Sequence, residues 1–333
     1  MLATRPEIFH KLTMRTHIMD MFGLTAPILQ APIASASNVA LATAVGRGGG
    51  MGSIAVTWHA PADGLALASQ LKAAGFPFFF NFALRFGTEK LASYYQAGLP
   101  AVTLSWGMEP LAIAAFTAAG TRVGVQVGSA EGTRLALAAG ADFIIVQGVE
   151  AGGHVQSTTA LMKLLGETLA VAGNVPVVAA GGIACGADIA RVIKAGAQAV
   201  MMGTRFVASH ESGAHAAYKA ALVAAGPDDQ VYTNCFDLGW PYAMHGVLRN
   251  STFNAWEAAG CPAAPDRPGE GDIIYRNGLE EQPRYSDTPP AEGAVGELTA
   301  ACLYAGKGVG HIKSVLPAGD IVTALWSEAQ SLL

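Results

Sequence analysis

The strongest constraint on the fold is an alternation that repeats eight times. Short apolar runs recur at Pro27–Ile33, Met51–Val56, Phe78–Leu84, Ala101–Ser105, Arg122–Val127, Phe143–Gln147, Pro176–Ala180 and Ala199–Gly203. Each but the last is followed by a stretch of helical character: Asn38–Gly46, Ala62–Ala74, Thr88–Ala97, Pro110–Ala119, Ala130–Ala139, Thr158–Ala172 and Gly186–Ala195. Steps of roughly 20–30 residues supply the crossovers of a dozen or more residues that parallel strands need. Repeated βα units leave a doubly wound sheet or a closed barrel. The turn after the first run has no GxGxxG, the fingerprint of the doubly wound dinucleotide fold. Eight consecutive units instead predict a TIM-like (β/α)8 barrel.

Composition agrees with a parallel sheet buried on both faces. Only 14% of residues are charged, against about 25% in ordinary domains. The 333 residues exceed a barrel of about 250 residues and leave room for an insertion. Residues 1–25 read as a lead-in segment. After Phe206 the alternation stops: His210–Ala225 reads as a helix, and Pro227–Pro290 is irregular and rich in Pro, Gly, Asp and aromatics. That stretch is too long for a bare loop, so it is expected to form a lid over the C-terminal mouth. Glu292–Ala305 and Gly319–Leu333 read as closing helices. The expected organisation is an α/β barrel over 1–206, an inserted lid subdomain over 207–295 after strand eight, and C-terminal helices over 296–333 packing back on the barrel.

Net charge is −5 and pI about 5.9, without the clustered Lys and Arg of a nucleic-acid surface. No uninterrupted apolar stretch reaches the roughly 18 residues of a membrane span, and MLATRPEIFHKLTMRTHIMD lacks the apolar core of a signal peptide. A soluble, cytoplasmic protein is expected. Cys185, Cys235, Cys261 and Cys302 form no CxxC and fit no zinc spacing, so free thiols are expected. No HxxxH pair or carboxylate cluster points to a metal.

In such barrels the chemistry lies at the C-terminal ends of the strands, and phosphate often binds after strands seven and eight. Gly181-Gly182 follow the seventh run and Gly203-Thr204 the eighth. Glycines let backbone amides approach an anion, and Thr204 adds a hydroxyl. Arg205 would add charge or face a neighbouring helix. After the sixth run, Glu150-Ala151-Gly152-Gly153-His154 brings one imidazole, suited to proton transfer near neutral pH. Small residues there would let a planar ring lie on the backbone. Glu150 would orient a neighbour or form an ion pair. Asn81, Gln126 and Gln147 suit a ring with several N–H and C=O edges. Each of these residues also has a plainer structural reading: turn glycines, capping amides, a packed histidine. His245, Trp240, Tyr242 and Tyr304 belong to the insertion, as its small core or as substrate lining. His10, His17, His59, His210, His215 and His311 read as surface or capping residues.

At these residues the chain resembles the FMN-dependent nitronate monooxygenases. QGVEAGGH at Gln147–His154, PVVAAGGI at Pro176–Ile183 and MGTRF at Met202–Phe206 match the family's motifs, and the likeness runs from QAPI to LYAGKGVG. The resemblance implies a TIM-like barrel with a lid, non-covalent FMN, and His154 as catalytic base or substrate-orienting residue. It implies FMN phosphate on Gly181, Gly182, Gly203 and Thr204. Ala31, Pro32, Asn81, Gln126, Gln147, Gly152 and Gly153 would be the other flavin contacts. Two positions depart: Val155-Gln156 follow the histidine where Gly is frequent, and Lys307 stands where many members have Gln.

Three functions compete. The first is oxidation of alkyl nitronates, and of nitroalkanes, with FMN and O2 to a carbonyl compound and nitrite. A homodimer is compatible with it; a nucleic-acid or membrane partner is not expected. The second is hydride transfer from NAD(P)H through FMN, as in the FMN-dependent enoyl-ACP reductases, which share EAGGH, GTRF and ESGAHAAYK; the insertion looks more like the monooxygenases. The third is a barrel that binds a phosphorylated ligand without catalysis.

Overall fold

The computed structural model describes residues 14–333. His10 and the first part of the lead-in lie outside the described residues. The lead-in holds α1 (His17–Phe22), capped by Thr16, whose hydroxyl accepts from the Met19 amide. The chain then alternates through β1 (Ile28–Gln30), α2 (Val39–Arg47), β2 (Gly52–Ala55), α3 (Pro61–Ala74), β3 (Phe78–Ala83), β4 (Ala101–Ser105), α4 (Pro110–Ala118), β5 (Arg122–Val127), α5 (Ala130–Ala138) and β6 (Phe143–Gln147). A two-residue strand outside the barrel, β7 (Gly153–His154), precedes α6 (Leu161–Ala172), β8 (Val177–Ala180), α7 (Gly186–Lys194) and β9 (Ala199–Met202).

The eight barrel strands are parallel, in the order β1-β9-β8-β6-β5-β4-β3-β2. Gln30 N donates to Met51 O (2.9 Å) and Met51 N to Ile28 O (3.0 Å), which brings β1 beside β2 and closes the ring. The fold is the expected TIM-like (β/α)8 barrel. Its strands are covered on both faces, so Phe78, Phe79 and Phe80 are all buried although they are consecutive. That is why the strands read as unbroken apolar runs rather than alternating ones.

One predicted helix is absent. Thr88–Ala97 holds only a 3-10 turn, Leu91–Tyr94, after another at Leu84–Phe86. Tyr94 packs edge-on to Phe82 (ring centroids 5.2 Å) and its neighbour Tyr95 packs on Phe116 (4.8 Å). A tight turn turns both consecutive rings inward, where a regular α-helix would carry one of them away from the core.

After β9 come α8 (Thr204–Val207), α9 (Ala216–Ala224), β10 (Gln230–Thr233), β11 (His245–Leu248), α10 (Ser251–Ala258), β12 (Ile273–Asn277), β13 (Glu280–Pro283), β14 (Val295–Gly296) and α11 (Ala318–Leu332). The helix predicted from His210 begins only at Ala216. His215 caps it, its Nδ1 accepting from Ala217 N (3.0 Å). The helix predicted over Glu292–Ala305 is replaced by β14, which pairs with β12, and by a 3-10 turn at Leu298–Ala300. Gly293 (φ 83°) and Gly296 (φ 137°) take conformations that a helix excludes. Of the C-terminal helices expected over 296–333, the α-helix is α11, which packs on α7 and α2; Lys307–His311 is a 3-10 turn.

A hairpin of the inserted segment pairs with the histidine loop of the barrel. Strands β10 and β11 pair antiparallel, and β11 pairs with β7 in the histidine loop. Among the described residues, no helix is long and apolar enough to cross a membrane.

Candidate active site

Three loops meet at the C-terminal end of the barrel. The loop after β6 is shaped by glutamine side chains. Gln147 Nε2 donates to His154 O (3.1 Å), and Gln147 Oε1 accepts from Gln156 N (2.9 Å). Gln126 Nε2 donates to Gln156 Oε1 (2.8 Å). Two of the three amides singled out from the sequence therefore hold the histidine loop in register. Asn81 donates to Thr103 Oγ1 (3.0 Å) and Ser105 Oγ (3.3 Å). Among the described residues, its Oδ1 has no donor.

His154 lies on β7 directly opposite His245 on β11. Its ring is caged by Trp240 (centroids 4.3 Å), His245 (5.2 Å), Tyr304 (5.6 Å) and Trp106 (6.4 Å). The residue as a whole is half-buried, yet its Nε2 is fully buried and has no hydrogen-bond partner among the described residues. Such an atom is costly unless something binds to it. Burial first, and His245 second, lower the His154 pKa to about 3. His245 is itself lowered to about 4 by burial, against the raising effects of the Ala243 carbonyl and Asp237. It lies 3.0 Å from Ala243 O through Nδ1 and accepts from Phe236 N through Nε2 (3.3 Å). An acceptor at one nitrogen and a donor at the other assign the neutral Nδ1–H form. Both imidazoles are thus neutral near pH 7.

The loops after β8 and β9 form a cradle. Gly181 (φ 120°) and Gly182 (φ 67°) are left-handed, and a Cβ on Gly182 would lie 2.9 Å from Glu150 Cβ. Among the described residues, the amides of Gly181, Gly182, Gly203 and Thr204 have no acceptor in the chain. Thr204 Oγ1 accepts from Gly306 N (3.0 Å), which leaves its hydroxyl proton for a ligand. Ala31 borders Gly203: its Cβ would lie 3.5 Å from a Cβ placed there, and Pro32 follows it. Free amides at side-chain-free positions, with one hydroxyl, fit a phosphate group.

Three expectations change. Arg205 takes neither a cradle role nor a helix-facing one: its guanidinium donates twice to Ser314 O (3.1 and 3.0 Å). Glu150 forms no ion pair among the described residues; its carboxylate accepts from Leu161 N (2.9 Å), at the N-terminus of α6. Gly152 is small for a nearer reason than a ring, since a Cβ there would lie 2.6 Å from Gly306 N. Gly153 (φ 73°) needs its left-handed backbone to enter β7.

Trp106, Gln156 and Gly306 were not singled out as site residues from the sequence. Trp106 had a usable signal, an aromatic immediately after a barrel strand. Its φ of 58° is strained for a non-glycine residue, as at many functional sites.

Residues 80–328 match the family model described as "Nitronate monooxygenase". Nitronate monooxygenase of Pseudomonas aeruginosa is 32% identical, over 92% of this chain and 97% of that protein. The Paraburkholderia phytofirmans enzyme of the same name is 29% identical, over 93% and 94%. Among solved structures, FabK from Thermotoga maritima superposes with a TM-score of 0.82 at 28% identity, covering 96% of this chain and 97% of that one. Nitroalkane oxidase from Streptomyces ansochromogenes superposes at 0.77 with 30% identity, covering 94% and 98%.

Proposed function

Because the chain belongs to the nitronate monooxygenase family of flavin-dependent oxidoreductases, we propose that it oxidises alkyl nitronates with FMN and O2 to a carbonyl compound and nitrite. The observation that carries this reading is the buried, unpartnered Nε2 of His154 inside its aromatic cage. FMN supplies the electron transfer and the oxygen chemistry. Gly181, Gly182, Gly203 and Thr204 would hold its phosphate. Asn81, Gln126, Gln147, Gly152, Gly153, Ala31 and Pro32 would border the rest of it.

His154 works as a neutral group here. A base whose conjugate acid has a pKa of about 3 has little driving force to take a proton from carbon. A neutral imidazole can instead donate one hydrogen bond to an anionic nitronate oxygen, while Trp106, Trp240 and Tyr304 exclude water. The preferred substrate is therefore the nitronate anion rather than the neutral nitroalkane. Gln147 serves by holding the His154 carbonyl, and so sets where the ring stands. The proposal is of a cytoplasmic enzyme acting on small molecules.

The test is nitrite release by the purified flavoprotein from a series of short-chain nitronates in air. No nitrite from any of them would sink the reading. The likeness to FabK supports a second reading, in which NAD(P)H reduces the flavin and an enoyl thioester accepts the hydride. Rapid anaerobic bleaching of the flavin by NADH or NADPH would favour it.

A further inference from the structure

Next to the glycine cradle, two neighbouring side chains and one remote in sequence converge. Cys185 is the cap residue just before α7, Asp188 lies in its first turn, and His311 ends the 3-10 turn Lys307–His311. Each offers one ligand atom, and these atoms all lie within 4.8 Å of one another. We propose that Cys185, Asp188 and His311 bind one divalent transition-metal ion of the zinc type.

The donor set selects the class of ion. A thiolate, a carboxylate and an imidazole suit Zn2+ and its neighbours, whereas Ca2+ and Mg2+ want oxygen donors throughout. Three protein ligands leave the fourth tetrahedral position to water. Cys185 caps the helix and Asp188 is its third residue, so the two side chains meet over the first turn. The carboxylate is already oriented: Asp188 Oδ2 accepts from Ala184 N (3.1 Å) and from Cys185 Sγ (3.3 Å). Metal binding replaces the thiol proton of that last contact: an S–H bond breaks, an S–metal bond forms, and the proton leaves to solvent. Arg191 donates to the other oxygen, Oδ1 (3.1 Å). That pair holds the carboxylate from behind, and the exposed guanidinium has room to stay there.

The ion would join two separate walls of the site. Gly308, in the same turn as His311, packs on Gly182: a Cβ at 308 would lie 2.5 Å from Gly182 O. Cys185 lies three residues after Gly182 along the other wall. A metal bridging Cys185 to His311 therefore cross-links the cradle loop to the turn that closes over it. This inference stands apart from the reaction proposed above.

The test uses Co2+ as a spectroscopic probe on the purified flavoprotein, with Zn2+ competition. The expected result is a single bound ion with intense tetrahedral d–d absorption to the red of the flavin, displaced by Zn2+. Cys185→Ser and His311→Ala should each weaken binding about 100-fold or more, since even outer partners of a metal site are worth about 10–100-fold. Cys261→Ser, which removes an exposed thiol elsewhere, should leave binding unchanged. Circular dichroism of the variants separates ligand loss from misfolding, and His311, being exposed, can be replaced without touching the core. Failure to bind Co2+ or Zn2+, or binding indifferent to both ligand substitutions in folded protein, would overturn the proposal.

Discussion

His154 and His245 face one another across the pairing of β7 with β11, with ring centroids 5.2 Å apart. One comes from the barrel and the other from the inserted segment, so the contact joins the two parts of the chain inside the aromatic cage. Both rings are uncharged because burial costs a charge more than any neighbour returns.

That pair makes stability depend on pH. The folded pKa values are about 3 for His154 and about 4 for His245, while an unfolded histidine titrates near about 6.5. The unfolded chain therefore takes up protons first as pH falls. The stabilisation is complete above about pH 6.5 and is lost progressively toward pH 4 and below. The melting temperature should fall between pH 6.5 and 5, before most carboxylates titrate, and His245→Asn should flatten that fall. An identical slope in the variant would refute the assignment.

His154→Ala should keep its flavin and lose nitrite release from nitronates by about 10²-fold or more, within the usual range for a proton-handling or hydrogen-bonding group. In the parent enzyme, kcat/KM should show no acid limb near pH 6.5, because the imidazole is neutral throughout that range. Undiminished turnover in the variant would remove His154 from the reaction.

Trp240 packs on the His154 ring at 4.3 Å between centroids. Trp240→Ala should let water reach the ring and raise its pKa from about 3 toward about 6.5. The readouts are the His154 ring signals in an NMR titration and a new acid limb in the rate profile. KM should rise as well, since Trp240 also packs on Trp106 (4.6 Å) and Phe86 (4.7 Å). An unmoved titration would mean that the cage is not what holds the pKa down.

Gly182→Val should lower flavin occupancy without unfolding the barrel. The left-handed backbone strains any L side chain by about 1–3 kcal/mol, and the new Cβ would meet Glu150. The flavin-to-protein absorbance ratio after dialysis measures it. Full retention of flavin would detach this loop from the cofactor.

Gln147→Leu removes both bonds that hold residues 154 and 156, at about 1–3 kcal/mol for buried groups left unpaired. Hydrogen exchange at 154–157 should accelerate while β6 stays protected. Unchanged protection of the loop would show that its pairing with β11 suffices.

The sequence makes the barrel legible because doubly covered strands leave a plain mark: FFFNFAL and FIIVQ can hardly be anything but interior. The cradle is legible for a related reason, since the strand count says which glycines lie at the mouth. What escapes is whatever depends on partners remote along the chain. The Tyr94 and Tyr95 contacts overrule helix-forming residues at 88–97. The amides of Gln126 and Gln147 are visible as polar groups at strand ends, but their use in holding the histidine loop depends on Gln156, noticeable beforehand only as a departure from the family pattern. Trp106 and Trp240 meet at His154 from opposite parts of the chain, and His311 reaches Cys185 and Asp188 from more than a hundred residues away.

Glu150 gives the two ends of the site a common fulcrum. Its carboxylate caps the N-terminus of α6, its carbonyl accepts from Lys307 N (3.0 Å), and its Cβ walls Gly182. The glycine loop at Gly182, the turn at Lys307 and the start of α6 therefore all rest on one residue, four positions before the imidazole.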